Sequence, residues 1–493
     1  MIKMPLTISR FQVGLFLLFL TINVTLLAFA QPTVVDQASL HPAYAFAPDG
    51  TRYWHPALSL VHDRSFSYIT ADGQWHALAR GGPIPPIFYA TFIYTFGFEN
   101  APYYFIPVQC ALLYGLGLQA RILAGLFKAN KNLVQVLIVI NPNLIGIAHF
   151  AQSEALFCFF FASLIITIAL LIVGKDKSGL VNRCLLIGLL SGIAVLIRPT
   201  TFFYALLLPF MVIAFYSWPR RQKLIVWLRE ASLIFALITI SSAITISPWA
   251  IRNSLSLGNY SVVQGSIGQL EDTLARMLVK NGVGNDTEVR NLIAGDLEEI
   301  AIKNNFHLAC FGRGSDVEML DSNCKNQIIE AYIRLFASQP LSFIVNGLLF
   351  ATVSTYFAGG ATAIANTLGM DHASEKIMQS EFSGLSTFRT FAMGHIGEFT
   401  GYIFLMLITA LFASLCRLLG LVGVLTATKF EIPIRLQLFC IVTVIIFTAT
   451  FMFTGVSRFR APLEIILMTY CGLGITTLSQ ALKFKKSRKC RVS

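Results

Sequence analysis

AQSEALFCFFFASLIITIALLIVGKDKSGLVNRCLLIGLLSGIAVLIRPT, residues 151–200, decides the fold. The apolar run 155–173 is long enough to cross the ~30 Å hydrocarbon core of a bilayer. A link holding Lys175, Lys177 and Arg183 follows, and then a second apolar run, 184–197, which stops at Arg198-Pro199. Basic residues collect on cytoplasmic links. The turn between the two runs is therefore expected inside, with Glu154 and Arg198 together on the other side.

The same pattern extends outward in both directions. Further apolar runs read as spans at Phe11–Ala30, 101–127, 133–150, 200–218, 231–251, 396–427, 436–454 and 461–482. Alternate links carry the positive charge: Lys128 and Lys131 in one, Arg220, Arg221, Lys223 and Arg229 in another, and KFKKSRKCR in the tail. Charged residues make up 13 % of the 493 and hydrophobic ones 55 %. A soluble domain carries about 25 % charged residues, and the mean hydropathy of +0.67 agrees. The formal net charge of +12 then reflects cytoplasmic loops, not nucleic acid. The fold class is an all-α integral membrane bundle, expected to hold 11 to 13 transmembrane helices.

Three segments fit this scheme less simply. The first run ends in Ala28-Phe29-Ala30, like a signal-peptidase site, but exceeds the 7–15 residues of a signal h-region. It reads as an uncleaved span with a cytoplasmic N-terminus. The stretch 86–97 is short and reads as interfacial, since a span there would invert the charge pattern. If 252–340 and 358–395 are both outside, the apolar segment 341–357 must be re-entrant, paired or interfacial.

Six of the nine cysteines (Cys110, Cys158, Cys184, Cys416, Cys440, Cys471) lie in apolar segments, as small hydrophobes. Cys310 and Cys324 lie instead in the polar stretch 252–340, where an oxidising exterior would let them pair. That stretch contains one helix-like passage, about 287–304, and is short for an independent catalytic domain.

Chemistry concentrates in the outer loop 31–85, through Asp36, PDGTRYW (48–54) and ARGGPIPP (79–86). RYWHPALSLVHDRSF within it suits an amphipathic interfacial helix. Asp49 precedes Gly50 and could be no more than a turn residue. Ser153-Glu154 could be a helix N-cap and first turn, or an acid with a partner at membrane depth. Arg80, Arg198, Arg252, Arg458 and Arg460 all fall on the outer side, against the positive-inside bias. Ion pairing with two acids accounts for one or two of them. A set suits an anionic ligand, because guanidinium forks bind phosphate bidentately. Most of His41, His55, His62 and His76 read as solvated loop residues, with a zinc site as the alternative. Asp49 and Glu154 could share a divalent ion, though two carboxylates fall short of the six or more oxygens such ions take.

PDGTRYWHPALSLVHDRSFS resembles the first outer loop of GT-C membrane glycosyltransferases, the protein O-mannosyltransferase and aminoarabinose-transferase-like group. Their Asp-x-x-x-Tyr motif is similar to Asp49–Tyr53, and their Arg-x-Pro-rich passage to ARGGPIPPIFYATFIYTFG, which includes Arg80. NPNLIGIAHFAQSEALF resembles the family's Pro…Ser-Glu element and puts Glu154 in the acidic position. GLLSGIAVLIRPT, SPWAIRNSLSLGNY and RFRAPLEIIL resemble its later signatures, which gives Arg198, Arg252, Asn253, Arg458 and Arg460, with Phe459 where the family has Tyr. The likeness covers about residues 1–265 and, more loosely, the last spans.

The resemblance implies a GT-C module over 1–265 with its loop 31–85. The rest of the chain, which the resemblance does not cover over 266–455, reads as an outer polar loop 266–340 with short helices, C-terminal transmembrane spans over 341–482 and a basic cytoplasmic tail 483–493. The resemblance also implies sugar transfer, with inversion, from a polyprenyl-phosphate donor to a glycan, lipid or protein hydroxyl on the extracytoplasmic face of a bacterial inner membrane. Asp49 and Glu154 would be the catalytic acids, and Tyr53, Arg80, Arg198, Arg252, Asn253, Arg458 and Arg460 would bind substrate. Two rivals share the arginines: a flippase for an anionic lipid-linked sugar, and a lipid-linked glycan polymerase or ligase.

Overall fold

The computed structural model describes residues 9–30, 35–36, 41–42, 50–69, 75–77, 81–174, 179–217, 223–257, 266–311, 322–368, 370, 396–450 and 456–492. Asp49 and Arg80 lie outside the described residues. Two antiparallel two-stranded ribbons, Val35–Asp36 with His41–Pro42 and Ser67–Ile69 with Trp75–Ala77, belong to the first loop. The other regular elements are helical.

The chain opens with α1 (Arg10–Ala30), α2 (Thr51–His62), α3 (Ile84–Phe96) and α4 (Ala101–Leu126). A helix broken at Asn141-Pro142 follows as α5 (Lys131–Val139) and α6 (Pro142–Ala148), bent by 51°. Pro142 lacks the donor a continuing helix needs, and the Asn141 side chain accepts from Asn143 N to start the second piece. The run read as one span, 133–150, is therefore two helices. Next come α7 (Glu154–Val173), α8 (Leu180–Ile197), α9 (Phe202–Ser217) and the 34-residue α10 (Leu224–Leu257).

Side-chain contacts set the directions of these helices. Arg183 at the start of α8 donates to Leu170 O near the end of α7 (3.3 Å), and Arg198 just past α8 pairs with Glu154 at the first position of α7. The two are antiparallel. α10 runs parallel to α8, with Ser241 Oγ donating to Leu185 O at 2.8 Å and Thr245 packed on Gly192. Glu154, Arg198 and Arg252 consequently share one end of the bundle. Arg121, Lys128, Lys131 and Arg183 gather at the other, where Lys128 pairs with Glu431 at 3.3 Å. The inner faces bury Phe105, Phe127, Phe157, Phe161, Phe439 and Phe447, while Leu206, Phe210, Ile240, Ile244, Leu407 and Leu411 are exposed on the outside. Large apolar side chains on an outer surface are stable in lipid and costly in water.

The stretch 86–97, read as interfacial, forms α3 with Tyr89, Ala90 and Ile93 buried. The polar stretch is more than a loop. Its helices α11 (Ser266–Lys280), α12 (Asp286–Lys303) and α13 (Ser322–Ser338) enclose a core of their own, in which Leu274, Met277, Val289, Ile293, Ile328, Tyr332 and Leu335 meet. A capping box, Asn285 with Glu288, starts α12. A disulfide joins Cys310 to Cys324, with Cα atoms 5.3 Å apart. Burial opposes the charge of Arg290, but Asp286, Asp272 and Glu271, all at 2.8–2.9 Å, outweigh it and hold its pKa above the ordinary value.

The apolar segment 341–357 is α14 (Leu341–Phe357), bent by 101° from α13. It leads to α15 (Ala361–Thr367), and the chain ends in α16 (Ile396–Thr426), α17 (Ile434–Thr450), a 3-10 turn (Ser457–Leu463) and α18 (Glu464–Val492). Among the described residues eight helices are long and apolar enough to cross a bilayer, or up to ten if each bent pair is one span. Two further apolar helices, α3 and α17, are shorter.

Candidate functional site

Glu154 occupies the first position of α7, where the helix dipole favours a negative charge. Its side chain is 3 % exposed and lies 3.4 Å from Arg198 Nη2 and 4.0 Å from Arg458 Nε. Its second oxygen, Oε2, is buried and has no hydrogen-bond partner among the described residues. Ser153 is the N-cap by position, yet its side chain does not cap the helix. Ser153 Oγ instead accepts from the Tyr53 hydroxyl at 3.1 Å, which brings α2 of the first loop onto the site.

Arg198 owes its place to Pro199. A residue before proline is driven out of the helical region, so α8 ends at Ile197 and Arg198 is extended, with φ −142° and ψ 93°. Its guanidinium lies over the ring of Phe459 at 5.0 Å, and Arg458 lies over the same ring at 5.2 Å. Phe459, where the resembled family has Tyr, is the apolar floor between the two cations. Gly82, from the ARGGPIPP passage, presses on Leu196 so closely that a Cβ would fall 1.7 Å from its carbonyl oxygen. That contact anchors the passage two residues from Arg198.

The segment leading into Glu154 is pinned from three helices. Gln109 of α4 donates through Nε2 to Ala148 O and Phe150 O, both at 3.0 Å. The Tyr89 hydroxyl of α3 lies 2.6 Å from Gln152 O, and His149 Nε2 lies 3.0 Å from Asn23 Oδ1 of α1. Arg252 joins from α10, donating to Phe66 O at 2.8 Å and to Asn253 Oδ1 at 3.1 Å, under a Trp249 ring 4.8 Å away. The first-loop arm, 50–69, thus touches Ser153 through Tyr53 and Arg252 through Phe66.

Of the sequence-selected residues, the structure brings together Tyr53, Glu154, Arg198 and Arg458, with Arg252 against the same arm and Asn253 accepting from Arg252. Arg460 is turned elsewhere. Its Nε meets Glu464 at 2.7 Å and its Nη1 donates to the carbonyls of Thr355 and Ala358. Successive residues of a 3-10 turn point about 120° apart, so Arg458 and Arg460 cannot both face Glu154. Arg417, which shares Glu464 at 2.6 Å, was missed from sequence. Its signal was available: a lone arginine inside an apolar run is costly unless it has a partner.

The ion that Asp49 and Glu154 could share involves Asp49, which lies outside the described residues. No three His, Cys, Asp or Glu groups converge among them, and the immediate charged neighbours of Glu154 are two guanidinium groups.

No family model matches the sequence, and no curated protein matches it. Among solved structures, the apo oligosaccharyltransferase of Archaeoglobus fulgidus is similar, with a TM-score of 0.49 and 13 % identity over 96 % of this chain and 52 % of that one. The chain spans about half the length of that protein.

Proposed function

We propose that this chain is a membrane glycosyltransferase of the GT-C type, moving a sugar from a polyprenyl-phosphate donor to a hydroxyl of a glycan, lipid or protein acceptor. The observation that carries the reading is the buried Glu154 held between Arg198 and Arg458, at the end of the bundle where the first-loop arm docks. Two permanently charged forks over an apolar floor suit a lipid phosphate. Glu154 keeps them oriented until the phosphate arrives, and Arg252 serves the same anion from α10.

Asp49 directly precedes Gly50, the N-cap of α2, and stands four positions before Tyr53. In this mechanism it takes the proton from the acceptor hydroxyl as that oxygen attacks the anomeric carbon. The bond from that carbon to the phosphate oxygen breaks, and its electron pair leaves on the lipid phosphate, where the arginines stabilise the charge. Attack from the face opposite the phosphate inverts the anomeric centre. The end bearing Glu154 would face the periplasm of a bacterial inner membrane, with the lysine-bearing end in the cytoplasm.

The test is release of polyprenyl phosphate by the purified chain in nanodiscs, supplied with synthetic polyprenyl-phosphate sugars and a hydroxyl acceptor. Product formation with inverted configuration is expected. Movement of intact lipid-linked sugar across a proteoliposome bilayer, with no cleavage by any donor, would replace this reading by a flippase. Profiling lipid-linked sugars in cells lacking the protein would identify the donor as the species that accumulates.

A further inference from the structure

The residues that hold Arg458 in place stand outside the mechanism above. A helix leaves its last carbonyls without intrahelical partners. Those of α14 are met by arginines: Arg460 Nη1 takes Thr355 O and Ala358 O, and Arg417 Nε takes Tyr356 O at 3.3 Å. Both guanidinium groups share Glu464 Oε1, at 2.7 and 2.6 Å, with Glu464 wholly buried and Arg460 2 % exposed. Cations at the negative end of a helix dipole are favourable, and the shared carboxylate offsets the cost of burying two of them. The three side chains form a clamp on the C-terminus of α14.

The other half of α14 belongs to the disulfide-linked helical unit. Asn281 Nδ2 donates to Phe343 O at 3.1 Å, and Lys280 Nζ lies 4.5 Å from the centre of the Phe350 ring. α14 is therefore a strut, seated in that unit along one half and clamped at the other end. The clamp's Arg460 shares a 3-10 turn with Arg458, which faces Glu154. The start of the same turn is held by α6, through Asn143 Nδ2 on Ser457 O at 3.1 Å.

We propose that Arg460 is a positioning residue: by gripping the end of α14 it fixes the turn that aims Arg458 at Glu154, and so links the seating of the disulfide-linked unit to the site. The link to turnover rests on the glycosyltransferase reading. The link to geometry does not.

The experiment uses the full chain in nanodiscs with two variants. Arg460→Lys keeps the charge and loses the fork that spans a carboxylate and two carbonyls. Asn281→Ala loosens the far half of the strut without touching the clamp. Two quantities are read: transfer kinetics per folded molecule, and amide hydrogen exchange over 149–153 and 456–460. Arg460→Lys is expected to lower kcat about tenfold with donor KM within about twofold of wild type, and to speed exchange in both segments. Asn281→Ala should move both readouts in the same direction by about twofold. Wild-type kcat in Arg460→Lys, or faster exchange confined to 354–360, would overturn the proposal. If the wild-type chain transfers no sugar, the functional reading falls, and the exchange data still decide the positioning role.

Discussion

Replacing Glu154 by Gln removes one negative charge while keeping the shape of the side chain. The charge lost is the one that Arg198 and Arg458 share. Arg198 is 10 % exposed at its side chain and Arg458 is 24 % exposed, so Arg198 suffers most. Removing one partner of a buried ion pair costs roughly 3–5 kcal/mol. The separations of 3.4 and 4.0 Å are longer than a tight charge-assisted bond, which places the expected loss near the low end, about 3 kcal/mol. SDS titration of the purified protein in mixed micelles would measure it. Polyprenyl phosphate should restore more stability to Glu154→Gln than it adds to wild type, because the phosphate then supplies the missing charge; a ligand at 100 times its Kd contributes about 2.7 kcal/mol. An unchanged titration midpoint in the variant would refute the reasoning, since Glu154 would then not be neutralising the two arginines. A lost midpoint that phosphate does not recover would refute the anion assignment alone.

Four further outcomes are expected. Asp49→Asn should lower transfer by about 100-fold or more with donor binding retained, and undiminished turnover would remove Asp49 from the mechanism. Arg198→Lys and Arg252→Lys keep charge but lose the fork; both should weaken donor binding measurably, and wild-type affinity in both would leave these arginines as ion-pair partners. Gly423→Ala would set a Cβ 2.0 Å from Tyr470 O and should destabilise by about 1–3 kcal/mol, whereas Gly295→Ala, with open space around it in α12, should stabilise by about 0.5–1 kcal/mol; reversal of the two signs in SDS titration would contradict the packing. The Cys310–Cys324 bridge spans 14 positions and is worth about 3 kcal/mol by chain entropy; alkylation of unreduced, correctly localised protein should leave both thiols unlabelled by mass spectrometry.

Spans were legible wherever length and apolarity coincide, as in the run 155–173, which became α7 with Glu154 at its head. The link lysines and the terminal arginines told which helix ends lie together, because charge at a bilayer edge is sorted by side. Packing was less legible. Val289 and Ile328 meet in one core across nearly forty positions, and no local pattern in a polar stretch announces such a meeting. The proline in NPN marked the break between α5 and α6, yet the apolar run continued through it. The two arginines of RFRAP look equivalent as a motif; only the 3-10 geometry sends one to Glu154 and the other to the carbonyls of α14. Asp49 and Arg80 lie outside the described residues and stand on sequence alone.

The seam between α16 and α18 has a bearing on motion. These helices run parallel, tied by Arg417 to Glu464 at one level and by Thr426 to Thr477 at another. Between those levels Gly423 lies against Tyr470 O, and a Cβ on Gly474 would fall 1.9 Å from Leu419 O. Backbones that close cannot slide past each other, since a shift of one residue would drive a side chain into a space sized for hydrogen. The pair acts as a keel. On the glycosyltransferase reading proposed above, a lipid-linked donor would have to enter away from this seam, on the side of the bundle where the arm 50–69 reaches Ser153 and Arg252.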